Sequence, residues 1–435
     1  MNDRTSQVKN SIIAFADQIT VSAGTFLSVL LVSRNCSEAE MGVFSLAWTI
    51  VAFVRTVQER AIAAPFLAFT YSPGFDRPTF RGSTLVHQSC FALFCSTVIA
   101  LAATVAWILD SFQGQLLFGL SLAFALFLNL ARDQMRAVSY TDFAVIRLWA
   151  LDIAVVASQL LVLVTLSWMK LFSLTNANLA LGFGCALPVL VWLVRIRHSF
   201  RIDHATVVSD WFHNWHYSRW LVAARVLGTA PIVTVPWLIL CFEGKEGTGA
   251  YAVCTSLVGV SLMFVTGINN LFQPRTVLEF QRNGVRGMLT TIAESIGLIG
   301  FVLICISVTF WFYGGQLLTI FGPQYSKYGF VAFLLSLSTL SVSVSTLLAN
   351  GLAALKKSTG FFWGEFCYCI VTISFAATLI PMQGLAGAAV SMILGGLGAT
   401  VVTAVMLSRE IANVERTQSV SVLKSTVLMD DRSIS

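Results

Sequence analysis

Long apolar runs alternate with short polar breaks along the chain. The runs are about 20 residues long, the length that an α-helix needs to cross a bilayer core. Polar breaks occur at SRNCSEAE (33–40), YSPGFDRP (71–78), GPQY (322–325) and LKKSTG (355–360). The pattern predicts an all-α integral membrane protein with twelve transmembrane helices, at 11–32, 41–66, 83–109, 115–135, 143–168, 177–194, 217–241, 250–272, 288–313, 327–350, 361–380 and 384–407.

Composition supports the membrane assignment. Hydrophobic residues make up 56% of the 435 residues and charged residues 11%, with a mean hydropathy of +0.79. Soluble domains carry roughly 25% charged residues. The chain is therefore too poor in charge for a soluble protein, and lipid must be part of its solvent.

The distribution of Lys and Arg predicts the orientation. With the N-terminus placed inside, 20 of the 27 basic residues fall in cytoplasmic segments and 4 in outside loops. Basic residues accumulate on the cytoplasmic side of membrane proteins. Both termini are therefore expected to be cytoplasmic.

The chain also shows signs of an internal repeat. Glycine plus an aromatic residue opens the second helix, with proline 23 residues later (Gly42, Pro65); the eighth has Gly249 and Pro274, 25 residues apart. We therefore predict two six-helix lobes related by a parallel pseudo-repeat, a common transporter plan. The predicted parts are an N-terminal lobe (1–196), an amphipathic cytoplasmic linker (197–216), a C-terminal lobe (217–408) and a cytoplasmic tail (409–435). In the linker, Trp211, Phe212 and Trp215 are expected interfacial anchors.

Several ionisable residues fall inside the predicted helices. At a rise of about 1.5 Å per residue, Asp17, Arg55 and Glu294 lie roughly 9 Å from the inner edge, Arg225 roughly 12 Å and Asp152 roughly 13 Å. Charges inside a membrane are costly and usually face a polar cavity or a partner. Their common level predicts a polar cavity in the cytoplasmic third of the membrane.

Arg55 and Arg225 are the candidate substrate ligands. Arginine stays charged and grips phosphate with two parallel hydrogen bonds, so a phosphate or pyrophosphate headgroup is the expected ligand. Asp17, Glu59, Asp152 and Glu294 are candidate charge partners or proton-coupling groups. A purely structural interpretation is also open: Glu59, one turn after Arg55, and Asp17, at the same depth, are its possible neutralising partners.

Other classes of site have no signature in the sequence. It lacks a nucleotide-binding G-x-x-x-x-G-K-[ST] loop, HExxH, GxSxG and metal-like Cys/His spacing. No enzyme activity, cofactor, metal or nucleic-acid partner is therefore expected. The membrane potential, worth about 2.3 kcal/mol per charge per 100 mV, already favours outward movement of an anionic headgroup.

One region resembles a known family. FADQITVSAGTFLSVLLVSRNCSEAEMGVFSLAW (15–48) is similar to the start of polysaccharide flippases of the multidrug/oligosaccharidyl-lipid/polysaccharide exporter superfamily. In these, an arginine and a short acidic linker precede a helix opened by glycine and aromatic residues. The matching residues are Arg34, Glu38, Glu40, Gly42, Phe44 and Trp48, and FGPQYSKYG (321–329) resembles a second family element. The first helix departs from the family, with Asp17 and Gln18 in place of a run of arginines.

The resemblance implies a MATE-like alternating-access transporter in the bacterial inner membrane. Its substrate would be an oligosaccharide on polyprenyl pyrophosphate, flipped to the outer leaflet for O-antigen or exopolysaccharide assembly, with Arg55 and Arg225 in the cationic cavity. Membrane lipids and the polysaccharide polymerase and chain-length machinery would be partners. Two alternatives stay open: an ion-coupled multidrug or organic-cation antiporter of the same superfamily, and a membrane polysaccharide polymerase or ligase.

Overall fold

The structure is a computed structural model that describes residues 2–72, 76–109, 116–142 and 144–430. Within these ranges the side chains of 2–12, 14, 358, 359, 361, 415 and 417–430 are outside the description, as are residues 431–435 of the predicted tail. The described residues form helices and short connections. The α-helices are α1 (Asn2–Asn35), α2 (Glu38–Gln58), α3 (Ala64–Phe69), α4 (Arg77–Ile108), α5 (Leu116–Thr141), α6 (Val145–Trp168), α7 (Leu174–Ile196), α8 (His204–Leu318), α9 (Gly329–Ala354) and α10 (Ser358–Asp430).

Nine helical spans of the described chain are long and apolar enough to cross a membrane. The two longest elements, α8 and α10, contain glycines with left-handed backbone angles: Gly244 (φ 74°), Gly284 (φ 63°) and Gly384 (φ 58°). A right-handed helix cannot continue through such a residue, and glycine adopts it at least cost. These glycines therefore divide α8 into three segments and α10 into two. The predicted total of twelve crossings stays a prediction.

The described chain packs as two compact units. The first comprises the described residues up to Met263 together with Tyr313–Ala332, and the second comprises Phe264–Phe312 together with the described residues from Phe333 onward. The first has an apolar core where Phe66, Phe80, Met135 and Trp192 meet. The second has one around Met288, Ile292, Leu352 and Leu407. The predicted division into lobes at 1–196 and 217–408 stays a prediction.

Two element boundaries differ from the hydropathy pattern. The helix predicted at 115–135 is α5, which runs on to Thr141 and so contains Arg136 as well as Arg132; both were among the 20 basic residues counted in cytoplasmic segments. Both arginines are paired with carboxylates inside the bundle, as described below. Residues 204–216 of the predicted linker are the first turns of α8, capped by the Asp203 side chain.

The start of α8 packs on α4. The ring of Trp211 lies 5.3 Å from that of His87, and the His87 Nε2 lies 2.8 Å from the Val207 carbonyl oxygen. Trp215, one turn further along, stacks on Trp211 with ring centroids 6.1 Å apart, and both Phe212 and Trp215 are exposed. These first turns therefore pack on α4 and also leave aromatic side chains exposed.

A π-helical turn, Glu59–Ala63, joins α2 to α3. Pro65 follows it, and a proline inside a helix leaves the carbonyl four residues earlier without its donor. That carbonyl belongs to Ala61, and the buried hydroxyl of Ser218 donates to it at 3.4 Å. The π-helical turn thus accommodates the proline, and the Ser218 hydroxyl of α8 satisfies the carbonyl oxygen that the proline leaves without a donor.

α2 and the segment of α8 after Gly244 cross in direct backbone contact. A Cβ on Gly42 would lie 2.0 Å from the Lys245 carbonyl oxygen, and a Cβ on Gly249 would lie 2.0 Å from that of Glu38. Side-chain carbon atoms do not approach an oxygen so closely, so the crossing requires glycine in both helices.

Candidate functional site

Four charged residues of α1, α5 and α6 form a buried network. Asp152 accepts hydrogen bonds from Arg132 Nε (2.9 Å) and Nη2 (2.6 Å) and from Arg136 Nη1. Arg136 Nη2 also donates to Asp17 Oδ2 at 2.9 Å. The Asp17, Arg132 and Asp152 side chains are exposed by 1%, 7% and 0%. Two arginines and two aspartates make the network neutral, which is how charge is tolerated away from water.

Helix geometry brings these side chains together. Arg132 and Arg136 are four residues apart and share one face of α5. Asp152 on α6 lies between the two guanidinium groups, and Asp17 on α1 contacts the second. The Tyr140 hydroxyl, one further turn along α5, lies 3.4 Å from Asp17 Oδ2. The second carboxylate oxygen of Asp17, Oδ1, is buried with no hydrogen-bond partner.

Arg55 is paired with a residue that the sequence analysis did not single out. Its Nε and Nη2 donate to Oδ2 and Oδ1 of Asp133 at 2.6 and 2.7 Å. This two-oxygen geometry is the strong form of an arginine–carboxylate pair. The pairing with Asp17 or Glu59 considered from the sequence was wrong, since Asp17 binds Arg136 and Glu59 lies 3.2 Å from Arg60.

The remaining two candidates are more exposed. Glu294 forms an ion pair with Arg275 at 3.1 Å, with both side chains about half exposed. Arg225 lies exposed on the first segment of α8. Among the described residues it makes no salt bridge, so its charge is available to a ligand.

Three central charges were missed because they lie in one short stretch, ARDQMR (131–136). Because of the charge density of this stretch, the predicted helix was ended at 135, within the stretch, and its charges were not considered as part of a site. Two features of the sequence favour a helix instead. No glycine or proline interrupts 120–142, and the arginines have the i, i+4 spacing of one helical face.

A cavity in the first unit lies elsewhere. It has a volume of about 300 Å³ and is lined by Ala39, Glu40, Val43, Phe118, Leu174, Thr175 and Lys245. None of the candidate site residues from the sequence lines it. Within the described part of the chain, no three His, Cys, Asp or Glu side chains are grouped to hold a metal ion.

Comparison with known proteins identifies the fold. No family model matches the chain, and no curated protein matches it. Among solved structures, an inward-facing multidrug resistance MATE family transporter of the MOP superfamily has a TM-score of 0.76 at 10% identity, covering 94% of this chain and 99% of that one.

Two further solved structures are similar to the chain over most of its length. A MOP superfamily transporter from Pyrococcus furiosus has a TM-score of 0.65 at 9% identity, covering 94% of this chain and 96% of that one. A mutant of the Vibrio cholerae MATE transporter VcmN has a TM-score of 0.67 at 9% identity, covering 94% and 97%. The chain therefore has the all-helical fold of these transporters, as the resemblance implied.

Proposed function

We propose that the protein flips a lipid with an anionic headgroup, a polyprenyl-pyrophosphate-linked oligosaccharide, from the inner to the outer leaflet of the bacterial inner membrane. The shared fold supports transport, and the resemblance of residues 15–48 supports this substrate class. The product would serve surface polysaccharide assembly, with the polymerase and chain-length machinery as downstream partners. The proposal includes cytoplasmic N- and C-termini, as the distribution of Lys and Arg predicts.

The charge arrangement of the first unit carries the proposal. Three of its buried or nearly buried carboxylates, Asp17, Asp133 and Asp152, are each bonded to an arginine. A site for an organic cation would present a carboxylate of its own to the ligand. Arg225 is instead a cation that makes no salt bridge among the described residues, and a guanidinium suits the geometry of pyrophosphate.

Flipping into liposomes tests this role of Arg225. Arg225→Ala should reduce flipping of a polyprenyl-pyrophosphate sugar at least about tenfold, the effect of losing a charge-assisted hydrogen bond. Arg219→Ala, which removes another exposed arginine six residues earlier on α8, is the matched control and should flip normally. Thermal unfolding of both variants checks folding. Normal flipping by Arg225→Ala would overturn the assignment.

An ion-coupled multidrug antiporter is the second candidate. Two observations favour it: the similar solved structures include a multidrug resistance transporter, and Asp17 keeps a buried oxygen without a partner. The fold does not decide between them, since the Pyrococcus furiosus transporter is described as having a binding pocket of reverse polarity that suggests a different function. Efflux of organic cations driven by a sodium or proton gradient, lost in Asp17→Asn, would establish this candidate in place of the first.

A further inference from the structure

Two arginines at the start of α4 share one carboxylate oxygen. Arg77 Nη2 lies 2.6 Å from Asp142 Oδ1, and Arg81 Nη2 bonds the same atom. Arg77 also donates to the Tyr71 hydroxyl at 3.0 Å and lies over that ring, 4.8 Å from its centroid. Tyr71 in turn donates to the Thr141 carbonyl. The cluster thus ties α4 to the end of α5, on the predicted cytoplasmic side.

The hydrogen bonding of these guanidinium groups is incomplete. In Arg55, Nε and Nη2 form one edge that two oxygens of Asp133 fill. In Arg77 and Arg81 only Nη2 of that edge is bonded, and the Nε of each is buried with no partner. Arg81 as a whole is 6% exposed. Buried donors without acceptors are rare in folded proteins, so each calls for an explanation.

The charge of the cluster is also incomplete. Two arginines and one aspartate leave a net charge of +1. The Asp17 network, by contrast, pairs two arginines with two aspartates. Two guanidinium groups held on one oxygen repel each other, and an added anion would offset that repulsion.

We propose that Arg77, Arg81 and Tyr71 bind a phosphate group at this position. A phosphate offers several oxygens and so provides acceptors for both unpartnered Nε donors, which the single bonded oxygen of Asp142 does not. Basic pockets between helices on the cytoplasmic side are suited to lipid headgroups. The phosphate comes either from an anionic phospholipid of the inner leaflet or from a soluble pyrophosphate compound. This site uses residues other than Arg225 and does not depend on the transported substrate.

The test measures binding and not transport. The full chain is purified and offered two probes: phosphatidylglycerol in nanodiscs, with phosphatidylcholine as reference, and inorganic pyrophosphate in detergent. Retained lipid is counted by native mass spectrometry, and pyrophosphate binding is measured by calorimetry. Arg81→Gln and the more exposed Arg77→Gln should each weaken binding about tenfold. Arg195→Gln, an exposed arginine in the last turn of α7, is the matched control and should bind normally.

The Asp142→Asn variant tests whether the cluster binds phosphate or is only a structural ion pair. Removing the competing carboxylate should tighten binding of either probe, and the bound anion should raise the melting temperature of this variant more than that of the wild type. Binding of lipid alone or pyrophosphate alone supports the site and identifies the source. Binding of neither probe, or binding that all three substitutions leave unchanged, would show that Arg77 and Arg81 only anchor the helix.

Discussion

Asp152 is fully buried and forms ion pairs with two arginines at once. Desolvating a carboxylate costs several kcal/mol, and only close opposite charges offset it. Arg132 and Arg136 in turn depend on Asp152, because each guanidinium is largely removed from solvent. The pairs of this network are therefore interdependent, and loss of Asp152 leaves Arg132 without a carboxylate while Arg136 keeps only Asp17.

Asp152→Asn should accordingly destabilise the protein strongly. The loss leaves one buried arginine without a carboxylate, a situation that typically costs about 3–5 kcal/mol. Thermal unfolding in detergent measures it. Glu59→Gln, at a half-exposed pair with Arg60, is the control and should change little. Equal melting temperatures for the two variants would contradict the role assigned to Asp152.

Single residues show where sequence reasoning succeeded and where it stopped. Depth along a helix located Asp17, Arg55 and Asp152 as charges inside the bundle. It did not give their partners, because a pairing depends on the rotation and neighbours of each helix, which hydropathy does not encode. Asp133, the actual partner of Arg55, lies near the end of the helix predicted at 115–135 and was not singled out.

At the scale of elements, the π-helical turn before α3 shows how a proline is accommodated. Pro65 leaves the Ala61 carbonyl without a backbone donor, and Ser218 on α8 supplies a hydroxyl. The hydrogen bond links two elements that are distant in the sequence. The π-helical turn therefore takes part in the packing of α8 and is not only a local irregularity of the backbone.

Ser218→Ala should cost about 1 kcal/mol, since it leaves a buried carbonyl unsatisfied. Pro65→Ala restores the backbone N–H, so the double variant should lose less stability than the sum of the two single ones. Unfolding free energies of the three variants test this coupling. Ser209→Ala, at an exposed serine of the same helix, is the control. Strict additivity would show that the hydroxyl does not replace the missing donor.

The glycine crossing gives a second prediction for elements. Gly42→Ala and Gly249→Ala would each place a methyl group 2.0 Å from a backbone oxygen, so the helices must separate and the protein should lose stability. Gly259→Ala is the control, since its methyl group would meet nothing within 4 Å. That control should be neutral or stabilising by up to about 1 kcal/mol. Similar melting temperatures for all three variants would contradict the close approach.

Element positions could be predicted from hydropathy, and element ends could not. The apolar runs correspond to described helices, because a bilayer imposes the same length on each. The errors arose where charge lies inside a helix, as in α5, or where a helix extends beyond the membrane pattern, as at His204. Both cases break the rule that polar residues mark a loop.

For the whole molecule, the fold was predictable although the sequence is distant from the solved structures. The similar transporters share about one residue in ten with this chain yet cover 94% of it. Length, apolar periodicity and glycine placement are properties that many sequences satisfy, so they specify the fold. The substrate depends on a few charged side chains, and for that reason the fold leaves it open.

Orientation is the prediction that belongs to the whole molecule. Because basic residues concentrate on one predicted side, a green fluorescent protein fused to the C-terminus should fluoresce in bacterial cells. Alkaline phosphatase fused after Lys245, in a predicted outside loop, should be active. The reverse pattern would place the termini outside the cytoplasm.

The contact between Gly42 and Gly249 is reciprocal. Gly42 faces Lys245, four residues before Gly249, and Gly249 faces Glu38, four residues before Gly42. An isologous interface between two identical subunits has this arrangement. In such a homodimer, however, a residue and its symmetry mate are the same amino acid. Here the two matching positions are Glu38 and Lys245, an acid and a base. Because both helices belong to one polypeptide, the two sides of the contact can carry opposite charges, which a homodimer cannot encode.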